Sequence, residues 1–201
     1  MGQSLLAGTA VSLTQEKWTQ VSFKGIEANK VSFENGTMTV AVSSSASPLV
    51  YKLDAPLAIQ SFEVSGAQVG SKILESSKFD EDSVLRFGIV GLGSQKLNAL
   101  KRAFAADWVI KLFSLAPADA GLDKINFFNV TNRLNLKGQE RAHPKSDLMI
   151  EKIVSVQDQE GKLMVKYQLE KPIQAAALWL SIDGDDTKSK FTLKIDRIDL
   201  N

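Results

Sequence analysis

Apolar and polar residues alternate along most of this chain, with the two-residue period of strands rather than the longer period of helices. The alternation is sharpest in residues 31–34 and 37–42, which flank Asn35-Gly36. Asn-Gly tolerates the positive φ angles of a type I′ turn, whose twist suits two antiparallel strands. The pattern turns Met38, Val40 and Val42 toward a core and Thr37, Thr39 and Ala41 away from it. A Ser43-Ser44-Ser45 break follows, then strands over 49–53 and 58–64, with Pro48 and Pro56 at strand ends or edges.

Residues 84–90 predict another strand. Leu97, Leu100 and Phe104 share a stripe, which predicts a helix over 95–106. Residues 107–113 return to strand character, with Trp108, Ile110 and Leu112 on one face. The least regular stretch is 116–147, read as a short strand over 125–130 and a long polar loop over 133–146. Two further hairpins are expected. Residues 148–157 and 163–169 flank an Asp158-Gln159-Glu160-Gly161 turn, and 175–182 and 191–200 flank Asp183-Gly184-Asp185-Asp186. About ten or eleven short strands with one short helix, and no strand–helix alternation, predict a mainly β, antiparallel sandwich or jelly roll. No repeat or linker divides the chain, so a single domain over 1–201 is expected.

Composition narrows the partners. The hydrophobic share is 44% and the net charge +1, so the chain can bury a core and carries no field to attract nucleic acid. No apolar run is long enough to span a bilayer. Residues 1–6 lack the basic and apolar regions of a signal peptide, so the chain is expected either to be cytoplasmic or to have lost a leader. The absence of cysteine excludes disulfides and thiolate metal sites, and fits a periplasmic or secreted location without requiring it. Export is the expectation.

Few residues point to chemistry. Gly91-Leu92-Gly93 after an apolar strand invites a dinucleotide reading, but Lys96 occupies the place of the required third glycine. His143 is the sole histidine, and no G-x-S-x-G elbow holds a serine for it. A zinc site built from imidazoles is therefore excluded. Asp183, Asp185 and Asp186 offer the hard oxygen ligands of calcium, although Asp and Gly are also common turn residues. The segment 133–147 carries Arg133, Lys137, Arg141 and Lys145 against Glu140 and Asp147, and arginine forks suit anionic groups. Trp179 shares a strand face with Ala175, Ala177 and Ser181, opposite the stronger apolar face of Leu178, Leu180 and Ile182. There it either covers small neighbours in a core or stacks on a ligand.

Two segments carry a resemblance. Residues 82–90, Asp-Ser-Val-Leu-Arg-Phe-Gly-Ile-Val, resemble the mid-chain strand of a bacterial, exported, jelly-roll family of unknown function. Residues 178–187 and the strand after them are similar to that family's end and to the end of sugar-binding jelly-roll modules. The resemblance implies the fold and a glycan ligand, and supplies no catalytic residue. The leading expectation is a non-catalytic carbohydrate-binding domain, with Trp179, Arg133, Arg141 and His143 at the ligand. The alternatives are a carbohydrate-active enzyme using Asp80, Asp82, Glu140 or Asp147, and a structural domain of an exported assembly.

Overall fold

A computed structural model describes residues 8–70, 83–98, 105, 107–117, 119–143, 146–157 and 160–201. Among the described residues the strands are β1 (Thr9–Ala10), β2 (Trp18–Gln20), β3 (Lys30–Glu34), β4 (Thr37–Ser43), β5 (Leu49–Gly70), β6 (Leu85–Gly93), β7 (Gly121–Thr131), β8 (Glu140–His143), β9 (Ser146–Val156), β10 (Lys162–Ser181) and β11 (Lys190–Leu200), and an α-helix, α1 (Asp107–Phe113), lies between β6 and β7. All eleven strands form one hydrogen-bonded system in the order β3-β4-β11-β5-β10-β6-β7-β9-β8, with β1 on β11 and β2 on β5.

That system is folded over on itself through β5 and β10. The two strands pair along their whole lengths, but the ladder breaks between Gln168 and Ile173 and between Ala175 and Ala177. Pro172 lies in the first break, and Pro56 lies opposite the second, between Lys52 and Leu57. Proline has no N–H to give a ladder, so it is tolerated where the ladder is already broken. Beyond these breaks each strand changes sheet. The later part of β5 and the early part of β10 join β3, β4, β11 and β1 in a front sheet. The early part of β5 and the later part of β10 join β2, β6, β7, β9 and β8 in a back sheet. Phe62 from the front packs on Phe87 and Phe128 from the back, at 4.5 and 5.0 Å between ring centroids. The fold is a β-sandwich of jelly-roll type, as its alternation predicts.

The Asn35-Gly36 hairpin forms with Glu34 opposite Thr37, and Met38, Val40 and Val42 are buried. Elsewhere the boundaries differ. The runs 49–53 and 58–64 are one bent strand, and so are 163–169 and 175–182. Neither of the later two expected hairpins exists: β9 pairs with β7 and β8, while β10 pairs with β5 and β6, and β11 with β4, β5 and β1. The segments between them are crossings from the back sheet to the front. The β7–β9 pair is parallel, so the sandwich is not wholly antiparallel.

The helix expected over 95–106 falls largely outside the described residues. Gln95 forms a bridge to Leu122 and 96–98 are irregular, while 99–104 and 106 lie outside the described residues. Residues 107–113, expected as a strand, are α1. Trp108, Leu112 and Leu115 stand four and three residues apart, so their shared face is helical once Leu115 is included. Leu112 and Leu115 bury against a second apolar cluster on the outer side of the back sheet, with Val50, Val90, Ile125, Phe127 and Trp179. The polar loop expected over 133–146 contains a short 3-10 turn, Leu134–Leu136, and the edge strand β8.

Gly36 has φ +76° and open space where a Cβ would stand, so a side chain there meets backbone strain alone. Gly36→Val is expected to cost about 1–2 kcal/mol, read as a lowered denaturation midpoint with unchanged slope.

Candidate functional site

Two ion pairs, one on each face of the back sheet, define its outer edge. In the β8–β9 ladder Glu140 stands opposite Lys152 and Arg141 opposite Glu151. Successive side chains on a strand point to opposite faces, so the first pair faces inward and the second outward.

The outward pair belongs to a buried charge lattice. Arg141 Nε and Nη2 donate to Glu151 Oε2 at 2.9 and 2.8 Å. Asn129 Nδ2 donates to the other carboxylate oxygen at 3.4 Å, and Arg86 Nε stands 3.3 Å from it. Arg86 Nη1 in turn pairs with Asp183. The Glu151 side chain is only 1% exposed, yet two guanidinium groups and one amide share its charge. The lattice ties β6, β7, β8 and β9 to the back-to-front crossing that contains Asp183.

Several expected site residues are accounted for by this arrangement. Arg141 is committed to Glu151, so it is not a spare fork for an anionic ligand. Asp183 is buried and paired with Arg86, Asp185 is half-buried and Asp186 exposed. Among the described residues no three His, Asp or Glu side chains gather as a metal site, so the calcium expected at Asp183, Asp185 and Asp186 would need ligands besides side chains of these types. Trp179 does lie on the face opposite Leu178, Leu180 and Ile182, but that face is covered. It is 3% exposed, and its indole N–H donates to Ser181 Oγ at 3.3 Å. A ring this buried presents no open face on which a sugar could stack.

The other candidates are scattered. Arg133 opens the 3-10 turn, with its backbone N–H on Thr131 Oγ1 at 3.2 Å. His143 ends β8 opposite Ser146, half-buried. Asp147 is exposed on β9, and Asp80 and Asp82 lie outside the described residues. Of the expected acids, Glu140 lines a cavity.

That cavity is an open groove of about 190 Å³ on the inner side of the β7–β9–β8 edge, where β10 leaves the front sheet for the back. Asn126, Glu140, Lys152, Tyr167, Glu170 and Lys171 supply its polar lining, and Phe128, Ile150, Leu169 and Ile173 its apolar part. Tyr167 packs on Phe128 with centroids 4.9 Å apart. Lys152 Nζ lies 5.8 Å from the centre of the Tyr167 ring and 3.2 Å from Glu140 Oε2. Hydrogen bonding to the Tyr167 side chain, and then to Glu140, raises the Lys152 ammonium above the ordinary lysine range. It stays charged at neutral pH.

Sequence reading passed over Tyr167 and Lys152, although both left a trace. The inward series Ile150, Lys152, Val154 places a cation among apolar positions. The inward series Leu163, Val165, Tyr167, Leu169 places one polar tip among hydrocarbons. An aromatic with a hydroxyl and a cation on facing inner surfaces mark where the sandwich opens to water.

No protein-family model matches the chain, and no curated protein matches it in sequence. Two solved structures are similar in outline. One is the family 32 CBM from C. perfringens NanJ in complex with galactose, with a TM-score of 0.35 and 10% identity over 96% of this chain and 98% of that one. The other is the cleaved adhesin domain of Lys-gingipain from Porphyromonas gingivalis, with a TM-score of 0.35 and 10% identity over 97% and 98%. The likeness is one of outline, and no site is carried across from it.

Removing Glu151 would leave two arginines without their shared counter-charge. Glu151→Ala is expected to cost on the order of 3–5 kcal/mol by denaturant titration. Lys17→Ala, which breaks an exposed pair with Asp54, should cost no more than about 1 kcal/mol.

Proposed function

We propose that this protein is a non-catalytic binding domain whose ligand is a saccharide held in the Tyr167 groove. The observation that supports this reading is the groove's composition: a half-buried tyrosine and apolar side chains beside a rim of amide, carboxylate and ammonium groups. A sugar ring presents the matching surfaces, with C–H faces for the apolar part and hydroxyls that both donate and accept. At about 190 Å³ the groove is smaller than the ~300–1,000 Å³ typical of sites for drug-sized ligands. One or two rings of a longer glycan fit that scale, with the remainder in solvent.

Within this reading the side chains have separate tasks. Tyr167 gives the ring a surface and a hydroxyl; Asn126 donates to or accepts from sugar hydroxyls, and Glu170 accepts from them. Lys152, oriented by Glu140, donates to a ring or hydroxyl oxygen. The binding role suits an exported chain, the location expected from the sequence. None of the described helices is long and apolar enough to cross a membrane.

A second reading has one specific observation in its favour: Glu140 and Glu170 line the same groove. Glycoside hydrolysis uses two carboxylates flanking the bond that breaks. Release of reducing sugar from a bound glycan would move the assignment to that class, and Glu140→Gln would then abolish turnover.

Tyr167→Ala is expected to weaken glycan binding by roughly 1–3 kcal/mol through lost burial and ring contact. Calorimetry with a glycan-array hit reads the change. Trp179→Phe, at a buried position outside the groove, should leave affinity unaltered; a comparable loss there would count against the groove.

A further inference from the structure

The groove also contains a basis for discrimination between ligand charges. Its titratable lining is Glu140 and Glu170 against Lys152 and Lys171, with the Tyr167 hydroxyl beside them. The cations and carboxylates balance. Glu140 Oε2 sits 3.2 Å from Lys152 Nζ, and the centre of the Tyr167 ring lies 5.8 Å from the same nitrogen. An ammonium has three N–H donors, and pairing with the Glu140 carboxylate leaves it donors to spare. A donor not engaged by Glu140 suits a neutral oxygen such as a hydroxyl. A carboxylate would have to give up its water to a cation already neutralised by Glu140, while standing close to that same glutamate. Arg141, the nearest guanidinium along β8, faces the opposite side of the sheet and is held by Glu151.

We infer that the groove selects uncharged saccharides over acidic ones, and that Glu140 sets this specificity by occupying Lys152. The inference rests on the Tyr167 groove being the saccharide site. Glu140 is then a specificity-determining residue: without its charge, Lys152 becomes a receptor for a carboxylate. Glu140 is exposed at the edge of the sheet, and its pairing is not part of the buried lattice.

The experiment compares immobilised neutral hexosides with the matching hexuronosides, which differ only in carrying a carboxylate in place of the C6 hydroxymethyl group. Wild-type protein is expected to bind the neutral member at least about tenfold more tightly, on the scale set by a nearby like charge. Binding of the neutral member should change little between low and high salt. Glu140→Gln, checked for an unchanged melting temperature, should narrow or reverse the preference, and its gain on hexuronosides should fade with salt. Equal or tighter binding of hexuronosides by wild type would overturn the selectivity and leave the groove reading standing. An unchanged preference in Glu140→Gln would overturn the role of Glu140. No binding to either series would overturn the groove reading itself. If Glu140→Gln proves unstable, the wild-type comparison and its salt dependence still decide the selectivity.

Discussion

Everything in this fold depends on two strands belonging to both sheets. β5 and β10 stay paired with each other through the bend, so the sheets are joined by a continuous ladder instead of by packing alone. A ladder can bend this sharply only where its hydrogen bonds are interrupted, and the two interruptions coincide with Pro56 and Pro172. The bend brings Phe62 against Phe87 and Phe128. It also determines where the front sheet stops covering the back one. The groove is the uncovered remainder, and its position follows from the geometry of β10.

The opposite side of the same edge explains how a groove at the rim of a sheet keeps its shape. Edge strands are the least restrained parts of a sheet, and β8 has only four residues. Its inward Glu140 follows directly before Arg141, and the facing Lys152 directly after Glu151. Fixing Arg141 and Glu151 on the outer face therefore fixes the backbone from which Glu140 and Lys152 project. A buried ion pair adds little net stability over an apolar alternative, because desolvating the charges offsets much of their attraction. It does restrict the register, which is what an edge strand lacks.

Legibility in the sequence followed the range of the interactions. The Asn35-Gly36 hairpin depends on neighbours along the chain, and every feature of it was readable. The expected hairpins at 158–161 and 183–186 failed for the opposite reason. Turn residues reveal that the chain reverses, whereas only distant partners decide whether it returns to the same sheet. Residues 107–113 alternate like a strand, and the helical face emerges only with Leu115 and the apolar outer surface that receives it. For Trp179 the alternation assigned the correct face, but burial depended on α1 and on side chains from other strands. Arg141 and Asp183 looked available because their partners, Glu151 and Arg86, lie 10 and 97 residues away. Lys152 and Tyr167 were visible only as polar exceptions within inward series.

The place of β11 has a consequence for how the chain is made. It lies between β4 and β5 in the front sheet, although it follows them and every other described strand in sequence. Until it emerges, residues 38–43 of β4 and 62–70 of β5 present open backbone edges to each other with a strand-wide gap between them. Open edges with alternating apolar side chains recruit other strands. A chain made only as far as β10 thus holds two unfinished sheet edges, which close once β11 is available to pair with both. The decisive step in folding this sandwich therefore waits for β11, and a shortage of chaperone should be felt there before anywhere else.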